Sequence, residues 1–477
     1  MTLRLRPYPA YKESGLPWLG AIPAHWELRR TKHLFDERAQ KGFPDEPLLA
    51  ATQTKGVVSK GRYESRTVTA QKDLHLLKLV EAGDYVISLR SFQGGIEYAH
   101  DRGIISPAYT ILKPSTKAIV KRDYYEFFFK SQTFIDSLTL FGTGIREGQN
   151  IDYERLSRSP LPVPPAEEQA AIGPFLRQAL GKANRLIRAK RRLIELLTEQ
   201  KQAIIHHAVT RGLDPDAPLK PSGIDWLGDV PAHWEVVRLK QLLRSIDQGI
   251  SPQAESRLAD DTSWGVLKAG CANRGEFRES EHKRLPDGLL FDTKLQVRIG
   301  DVLVSRASGS PQLVGSVARV RSLRYKLVLS DKTFRLAFKK TANADYMVLA
   351  MNSRYYRQQV DGAISGAEGL ANNLPVSALR TFAFAVPPTD EQRRILMQVQ
   401  GATGELSSTV ERAQREIDLL REYRTRLIAD VVTGKLDVRG AALPDLARGA
   451  EWDCLGEGAE EAGGETEEEV SEADGDE

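Results

Sequence analysis

Apolar residues recur at coiled-coil spacing in two long stretches of the chain. The seam positions of each stretch are spaced alternately by three and four residues, and most of them are apolar. This is the pattern of a helix that buries one stripe against a partner helix. The apolar residues that we assign to this seam are Leu176, Leu180, Ile187, Ile194, Leu197 and Ile204 in the first stretch, and Val399, Leu406, Val410, Ile417, Leu420 and Leu427 in the second. Because the two series share one register at an offset of 223 residues, we predict two long helices that pair as an antiparallel coiled coil.

Charged residues and glycines mark the ends of each predicted helix. Acidic residues occupy the first turns, where the helix dipole favours negative charge; they are Glu167, Glu168, Asp390 and Glu391. Glycines stand where the apolar stripes stop, at Gly212 and Gly434. Three charged residues interrupt the stripes, namely Lys190, Lys201 and Arg424. We interpret them as side chains that pack their stems along the seam and keep their charge in water; the alternative is that they fix the register.

The chain contains two copies of a sequence rich in tryptophan, which we call the Trp motifs. Residues 14–32 read SGLPWLGAIPAHWELRRTK and residues 222–240 read SGIDWLGDVPAHWEVVRLK, with 12 of 19 positions identical. A second pair precedes the long helices, where residues 163–169 read VPPAEEQ and residues 386–392 read VPPTDEQ. The two halves of the chain are therefore copies of one unit.

This repeat divides the chain into seven segments. The regions between the Trp motifs and the Pro-Pro pairs are rich in short β-type runs, so we expect a mixed α/β (α+β) fold there. The segments are 1–19, a leading segment; 20–160, the first mixed domain; 161–212, the central helix; 213–227, a linker; 228–385, the second mixed domain; 386–436, the C-terminal helix; and 437–477, an acidic disordered tail. Predicted strands are Asp84–Leu89, Ala108–Leu112, Asp301–Ser305, Gly315–Val320 and Thr333–Ala337, and predicted helices are Tyr124–Leu138 and Asp345–Val360.

The composition narrows the class of protein. Hydrophobic residues make up 41% and charged residues 27% of the 477 residues, which excludes wholesale disorder. The two cysteines, Cys271 and Cys454, exclude a disulfide scaffold and a cysteine-built zinc site. No apolar run approaches the ~18 residues of a membrane helix, and the first residues lack the pattern of a signal peptide. We expect a cytoplasmic protein.

The net charge of +3 conceals an uneven distribution. Residues 451–477 carry 13 acidic and no basic side chains, so the rest of the chain holds 67 basic against 51 acidic residues. A basic body suits a polyanionic ligand such as nucleic acid. Charge alone does not distinguish a nucleic-acid-binding protein from a soluble basic protein with an acidic tail.

Motifs of catalysis are missing from the sequence. There is no GxxxxGK[ST] phosphate loop, and the Pro-Pro pairs follow Val163 and Val386 instead of the Asn or Asp of an amino-methyltransferase loop. The lone histidines of the Trp motifs, His25 and His233, are interpreted as structural. One alternative remains, because a short set resembles the acidic pair and lysine of metal-dependent nucleases; its members are Asp260, Asp261, Glu281 and Lys283.

Basic and amide side chains in glycine-rich loops are the candidates for DNA contact. Arginine and lysine suit guanine edges, and asparagine and glutamine suit adenine edges. The candidates are Arg90, Gln93, Arg146, Gln149 and Asn150 in the first copy, and Lys268, Asn273, Arg274, Arg306, Gln312, Asn372 and Asn373 in the second. Each is also compatible with a phosphate contact or a turn. Asn150 and Asn373 occupy matched positions, which favours a structural role for that pair.

Together these motifs resemble the specificity subunit of type I restriction-modification systems. The resemblance rests on SGLPWLGAIPAHWE and SGIDWLGDVPAHWE, on VPPAEEQ and VPPTDEQ, and on the helix ends at 210–214 and 433–437, and it spans about residues 8–440. It implies that 20–160 and 228–385 are target recognition domains, each gripping one half of a split DNA site. It also implies that the coiled coil fixes the distance between the half-sites. The acidic tail is not part of the family pattern.

The same resemblance implies partners and an absence of catalysis. Two methyltransferase (modification) subunits would dock on the helices and the recognition domains, and motor-nuclease (restriction) subunits would complete the complex on double-stranded DNA. S-adenosylmethionine, ATP and magnesium would belong to those partners, so this chain would hold no cofactor or metal and catalyse nothing. Two alternatives stay open, a metal-dependent DNA endonuclease and a stand-alone sequence-specific DNA-binding protein.

The length of the helices provides a test of their role in spacing. Inserting four residues after Thr198 adds about 6 Å of helix and keeps the stripe nearly in phase. Because a base pair rises about 3.4 Å, we expect the same two half-sites with a gap longer by about one or two base pairs. Genome-wide mapping of methylation by the reconstituted complex measures the gap. An unchanged gap in an active complex would show that the helices do not set the spacing.

Overall fold

The computed structural model describes residues 5–62, 73–143, 150–273, 275–364 and 372–441. They belong to two units: unit 1 comprises Met1–Arg191 with Gln414–Glu477, and unit 2 comprises Arg192–Ala413. Each unit combines one mixed domain, one Trp motif and a part of each long helix. The borders predicted from the sequence instead separate the helices from the mixed domains, and they stay predictions.

Unit 1 is built from short strands and helices around an aromatic core. Its strands are β1 (Tyr11–Glu13), β2 (Ala21–Pro23), β3 (Glu27–Arg30), β4 (Phe35–Arg38), β5 (Leu49–Thr52), β6 (Gly56–Ser59), β7 (Lys78–Val80), β8 (Tyr85–Ile87), β9 (Glu97–Tyr98), β10 (Gly103–Ile105), β11 (Thr110–Pro114), β12 (Gly142–Thr143), β13 (Asn150–Ile151) and β14 (Pro160–Val163). Its helices are α1 (Thr31–Leu34), α2 (Ser91–Gly94), α3 (Arg122–Phe128), α4 (Gln132–Ser137), α5 (Tyr153–Arg158) and the first part of α6 (Ala166–Arg211). The largest sheet has the antiparallel order β4-β11-β8-β9. Helix α3 packs on this sheet, since the rings of Phe35 and Tyr125 lie 5.3 Å apart.

Unit 2 repeats this arrangement. Its strands are β15 (Leu219–Pro221), β16 (Asp229–Pro231), β17 (Glu235–Arg238), β18 (Leu243–Gln248), β19 (Trp264–Leu267), β20 (Ala272–Asn273), β21 (Glu276–Phe277), β22 (His282–Arg284), β23 (Val302–Ser305), β24 (Ala307–Ser308), β25 (Val317–Arg319), β26 (Lys326–Val328), β27 (Thr333–Phe338), β28 (Asn372–Asn373) and β29 (Ala383–Val386). Its helices are α7 (Leu239–Leu242), α8 (Ala344–Ala350), α9 (Arg354–Asp361), α10 (Val376–Thr381), the last part of α6 and the first part of α11 (Thr389–Val432), whose last part belongs to unit 1. The four-stranded sheet has the antiparallel order β18-β27-β23-β25. The order of equivalent strands is the same as in unit 1, so the duplication extends to sheet topology.

Each unit joins the start of its mixed domain to the end of that domain by a strand pair. The last residues of the Trp motif form β3, which pairs antiparallel with β14, the strand before the first Pro-Pro pair. In unit 2, β17 pairs in the same way with β29. A Pro-Pro pair directly follows each of these strands, and the long helix begins directly after it.

A carboxylate at the start of each long helix, buried in unit 1 and half-buried in unit 2, binds the tryptophan of the Trp motif in the same unit. In unit 1, Trp26 Nε1 donates to Glu168 Oε2 at 2.8 Å, and His25 Nε2 lies 2.7 Å from Glu168 Oε1. Tyr8 donates its hydroxyl to the same carboxylate at 3.0 Å. We call this group, with its counterpart in unit 2, the His–Trp–Glu cluster. The lone histidines therefore have a structural contact.

The counterpart in unit 2 has the same geometry with fewer partners. Trp234 Nε1 donates to Glu391 Oε1 at 3.1 Å, and His233 Nε2 lies 2.7 Å from Glu391 Oε2. Both indole rings are fully buried, so the indole N–H needs an acceptor inside the protein. A carboxylate in the first turn of a helix supplies one and also interacts favourably with the helix dipole.

The same tryptophans contact the end of the other long helix. Gly434 follows α11 with φ of 77°, and a Cβ there would lie 2.3 Å from Pro23 and 3.1 Å from Trp26. Gly212 follows α6 with φ of 76°, and a Cβ there would lie 3.2 Å from Trp234. Only glycine combines the left-handed conformation with so close an approach. In each unit, one Trp motif therefore holds the start of one long helix and the end of the other.

The end of a long helix is connected to the segment before the Trp motif in both units. In unit 2 the peptide chain makes this connection, and in unit 1 hydrogen bonds make it. In unit 2, the chain runs directly from Gly212 to β15. In unit 1, the residues after α11 meet the first described residues: the amide of Asp437 donates to the carbonyl of Arg6 at 2.8 Å, and Tyr11 donates its hydroxyl to the carbonyl of Lys435 at 3.2 Å. The two Trp motifs are thus approached by equivalent segments.

The predicted seam positions are buried or half-buried. The buried ones are Leu176, Leu180, Ile187, Val399, Ile417 and Leu427, and the half-buried ones are Ile194, Leu197, Ile204, Leu406, Val410 and Leu420. Within unit 1, the part of α6 near Leu176 shares a core with the last turns of α11, while Lys190 pairs with Glu416. Within unit 2, Lys201 Nζ donates to Ser407 Oγ at 2.9 Å. The helices therefore run antiparallel in both units.

Two details of the seam and of the mixed domains differ from the sequence-based expectation. Lys190 and Lys201 contact polar groups of the other helix instead of only reaching water, which favours the alternative that polar positions fix the register.

The helices predicted as single at Tyr124–Leu138 and Asp345–Val360 are each two helices. Ser131 and Ser353 interrupt them, because their hydroxyls donate to the carbonyls three residues before at 2.7 Å and compete with the helical hydrogen bonds.

The unequal partners of the two clusters give a stability test. Glu168→Ala leaves the buried Trp26 N–H and the Tyr8 hydroxyl without their acceptor, which should cost about 3 kcal/mol, whereas Glu391→Ala should cost about 1–2 kcal/mol. Glu167→Ala is the matched control, since Glu167 lies exposed in the same helical turn, and it should change stability by less than about 0.5 kcal/mol. Denaturant unfolding of the three variants measures the differences. Equal losses for Glu167 and Glu168 would contradict the role of the cluster.

Candidate nucleic-acid interface

In unit 1, the connection between β8 and β9 carries two of the candidate DNA-contacting residues. Arg90 precedes α2 and Gln93 lies within it, and both side chains are exposed. Gly95 follows with φ of 80°, and a Cβ at this position would lie 2.1 Å from the carbonyl oxygen of Phe129. Glycine is therefore required where the connection passes over the loop between α3 and α4.

In unit 2, the equivalent connection between β23 and β25 also carries an arginine and a glutamine from the candidate set. Arg306 opens it, Gln312 follows, and Gly315 ends it with φ of 79° and a Cβ position 2.7 Å from Val360. The order Arg, Gln, Gly is the same as in unit 1, with three more residues between arginine and glutamine. We call residues 88–96 and 306–316 the reading loops. Both sets of residues were candidates from the sequence, but only the strand register shows that the two connections are equivalent.

A short strand pair carrying asparagine lies beside each reading loop. In unit 2, β24 belongs to the loop itself and pairs with β28, which places Asn372 and Asn373 opposite Ser308 and Ala307. In unit 1, β12 pairs with β13, which begins at Asn150, and a Cβ at Gly142 would lie 3.5 Å from the ring of Phe92 in α2. The matched asparagines thus lie on matched strands. Candidates Arg146 and Gln149 lie outside the described residues.

Of the remaining candidates of unit 2 that the structure describes, Lys268 lies near the reading loop and Asn273 lies in another strand pair. Lys268 precedes the turn Ala269–Cys271, which contacts β24, and its Nζ lies 3.9 Å from Glu281. Asn273 lies in β20, paired with β21, while Arg274 lies outside the described residues. Lys268 therefore lies next to the reading loop of unit 2.

The side chain of Arg90 is exposed, whereas the side chain of Arg306 makes contacts within the protein. Arg306 Nη1 donates to the carbonyl of Asp331 at 3.0 Å, and its guanidinium lies 5.7 Å from the ring centre of Phe334. Gln312 is exposed, and its Oε1 accepts from Ser310 Oγ at 2.9 Å. In unit 2 the glutamine is consequently the more accessible of the two side chains.

A buried ion pair that the sequence analysis missed lies beneath the reading loop of unit 1. Lys130 Nζ is 2.5 Å from Glu97 Oε1, and only 10% of the lysine side chain and 3% of the glutamate side chain are exposed. Burial raises the pKa of Glu97 to about 7, and Lys130 opposes this rise. The sequence contains one indication of this ion pair. Lys130 is the single lysine in a run rich in aromatic residues, 124–134, and a lysine is rarely buried without a partner.

The alternative nuclease set makes ordinary structural contacts. Asp260 accepts hydrogen bonds from the hydroxyl of Thr262 at 2.7 Å and from the amides of Thr262 and Ser263, both at 2.9 Å, and these bonds hold the pKa of its carboxyl below the usual range. Asp261 lies 3.5 Å from Arg324, and Glu281 faces Lys268. In the parts of the chain that the structure describes, no three His, Cys, Asp or Glu side chains meet in a way that could hold a metal ion.

None of the helices in the described ranges is long and apolar enough to cross a membrane.

Proteins similar to this chain include specificity subunits of type I restriction enzymes. The chain is 29% identical over 227 residues to the EcoEI specificity subunit of Escherichia coli, a match that covers 46% of this chain and 38% of that protein. It is 22% identical over 369 residues to the MjaVIII specificity subunit of Methanocaldococcus jannaschii, covering 76% of this chain and 81% of that protein. No protein-family profile matches the chain.

A solved structure described as the basis of assembly and conformational transition of the type I R-M system shares the fold. One of its chains matches with a TM-score of 0.59 at 14% identity, covering 86% of this chain and 98% of that chain. At this identity the likeness concerns the fold alone. The resemblance to type I specificity subunits is confirmed, and so is the predicted mixed fold with two long paired helices.

The buried Glu97 gives the stability of the protein a pH dependence. Its pKa of about 7 in the folded protein is above the value of about 4.3 expected in the unfolded chain. The contribution of this carboxyl to stability is therefore complete below pH 4 and is lost as the pH rises through 7. We expect wild type to lose stability relative to Glu97→Gln between pH 5 and pH 8, as measured by denaturant unfolding. A difference that stays constant over this range would show that Glu97 is ionised throughout.

Proposed function

We propose that this chain is the DNA sequence-specificity subunit of a type I restriction-modification complex and that it binds a double-stranded site made of two half-sites. The observation that carries the proposal is the pair of reading loops, which present arginine and glutamine in the same order on equivalent hairpins. Arginine binds guanine with two hydrogen bonds and glutamine binds adenine likewise, each worth about 1–3 kcal/mol of discrimination. The relatives' description as specificity subunits supports the same function.

The loops are similar in chemistry but different in length, which suits two half-sites of different sequence. The reading loop of unit 2 has three more residues between its arginine and its glutamine, and that arginine is partly held by the carbonyl of Asp331. The two loops therefore present different arrangements of the same donors and acceptors. Discrimination between bases depends on such arrangements, whereas contacts to phosphate only position the protein.

The excess of basic residues outside the acidic tail supports DNA as the ligand. With 67 basic against 51 acidic side chains before residue 451, several phosphates can be neutralised at once. Each neutralised phosphate contributes about −0.9 to the slope of log affinity against log salt. Affinity for DNA should therefore fall steeply as the salt concentration rises, while the preference between half-sites comes from the reading loops.

The catalytic steps belong, in this proposal, to partner subunits. Two methyltransferase subunits would bind S-adenosylmethionine and modify the DNA, and motor-nuclease subunits would use ATP and magnesium. Because the chain presents the same unit twice, a partner that recognises one unit finds a second copy of its docking surface. The chain itself would be non-catalytic and would act in the cytoplasm, in keeping with its low cysteine content.

The proposal is tested by changing one exposed residue in each reading loop. Arg90→Ala should lower discrimination at one half-site about 5–150-fold, which corresponds to about 1–3 kcal/mol, and should leave the other half-site unchanged. Gln312→Ala should have the reverse effect. The measurement is methylation of duplexes with single-base changes, using the chain reconstituted with its methyltransferase partner.

Arg192→Ala is the matched control, since Arg192 lies exposed on α6 and pairs with Glu195 in the same helix. It should leave both half-sites unchanged. Loss of discrimination at both half-sites in either loop variant would contradict the assignment of one half-site to each unit. Sequence-specific methylation by the partner alone would contradict the proposal as a whole.

A further inference from the structure

The lysine beneath the reading loop of unit 1 holds three segments together. Lys130 lies between α3 and α4, and its Nζ donates to the carbonyl of Gly94 at 2.8 Å and to the carbonyl of Gln53 at 3.2 Å. Its third partner is the carboxylate of Glu97. Gly94 ends α2 within the reading loop, Gln53 lies in the turn between β5 and β6, and Glu97 begins β9. All three donors of the ammonium group are thus used inside the protein.

An arginine has the corresponding contacts in unit 2. Arg357 lies in α9, and its Nη1 donates to the carbonyl of Val314 at 2.6 Å, with longer contacts of 3.4 Å from Nη1 and Nη2 to the carbonyls of Gln312 and Pro311. Its Nε donates to Asp361 Oδ1 at 2.7 Å. These three carbonyls belong to the reading loop, and one of them is the backbone of a candidate DNA-contacting residue.

The two cations are not copies of one residue. At the offset of 222 residues that relates Ser131 to Ser353, the position equivalent to Arg357 is Ile135, and the position equivalent to Lys130 is Asn352. The duplication of the chain therefore does not account for the shared contact. Two residues at positions that are not equivalent make the same type of contact, a buried or half-buried cation bound to loop carbonyls and balanced by a carboxylate.

We propose that Lys130 and Arg357 are positioning residues that fix the conformation of the two reading loops without touching DNA. The inference rests on the proposed function, because it assigns these loops to base recognition. A loop held in its binding conformation loses less conformational entropy on binding, and hydrogen bonds to base edges depend on side-chain geometry. Without its cation, each loop should still connect the same two strands, but it should discriminate poorly between bases.

The effect on the loops can be measured without DNA. In Lys130→Met, amide hydrogen exchange in residues 88–96 should become at least about tenfold faster while residues 306–316 keep their rates; Arg357→Met should do the reverse. The methionine side chain keeps the bulk of the stem and removes the donors. The double variant Lys130→Met/Glu97→Gln removes the unpaired buried carboxylate as well, so it tests the same contact where the single variant does not fold.

The effect on recognition is measured with the reconstituted complex and duplexes that carry single-base changes. Lys130→Met should lower discrimination at one half-site about tenfold, and Arg357→Met should do so at the other. The slope of log affinity against log salt should not change, since neither residue neutralises a phosphate. Arg354→Met is the matched control, because Arg354 lies exposed one turn earlier on α9, and it should alter neither loop exchange nor discrimination.

Each outcome decides between positioning and its alternatives. A salt slope that becomes less steep by about 0.9 with unchanged exchange in the loops would identify a phosphate contact and overturn the inference. Unchanged exchange and unchanged discrimination would overturn it as well. Faster exchange in the loops combined with a wild-type complex that discriminates at neither half-site would support the positioning role while rejecting the proposed function.

Discussion

A carboxylate that binds a buried indole at the start of each long helix determines how the helix, the Trp motif and the mixed domain of each unit fit together. Glu168 and Glu391 accept the N–H of Trp26 and Trp234, and each tryptophan also packs against the glycine that ends the other long helix. A fully buried indole cannot turn its N–H to water, so the contact fixes where each helix begins relative to its Trp motif. The sheets of the mixed domain follow, because the last strand of the Trp motif pairs with the strand that leads into the helix.

This construction separates the parts of the chain that are alike from those that differ. The Trp motifs, the strand pairs and the helix ends have the same arrangement in the two units, as a structural role requires. The reading loops share their arginine, glutamine and final glycine but differ in length, and they are held by Lys130 in one unit and by Arg357 in the other. A duplicated frame with divergent loops is the arrangement expected when one chain reads two different sequences.

The sequence was sufficient for the features that depend on periodicity and repetition. The seam positions, the helix ends at Gly212 and Gly434, and the duplication could be predicted because they follow from spacing alone. The helix breaks at Ser131 and Ser353 could not, because a serine hydroxyl that replaces a helical hydrogen bond leaves no periodic signal. The equivalence of the reading loops also required the strand register, since the insertion between Arg306 and Gln312 conceals it in the sequence. The contacts of Lys130 join residues from four separate segments, which no local pattern records.

In our proposal, each unit reads one half-site through its own reading loop. The most direct measurement replaces residues 88–96 by the sequence of residues 306–316, reconstitutes the chain with its methyltransferase partner, and maps methylation across a genome. We expect that one half-site changes while the other half-site and the gap between them stay as in wild type. A methylated site that is unchanged, or one in which both half-sites change, would contradict it.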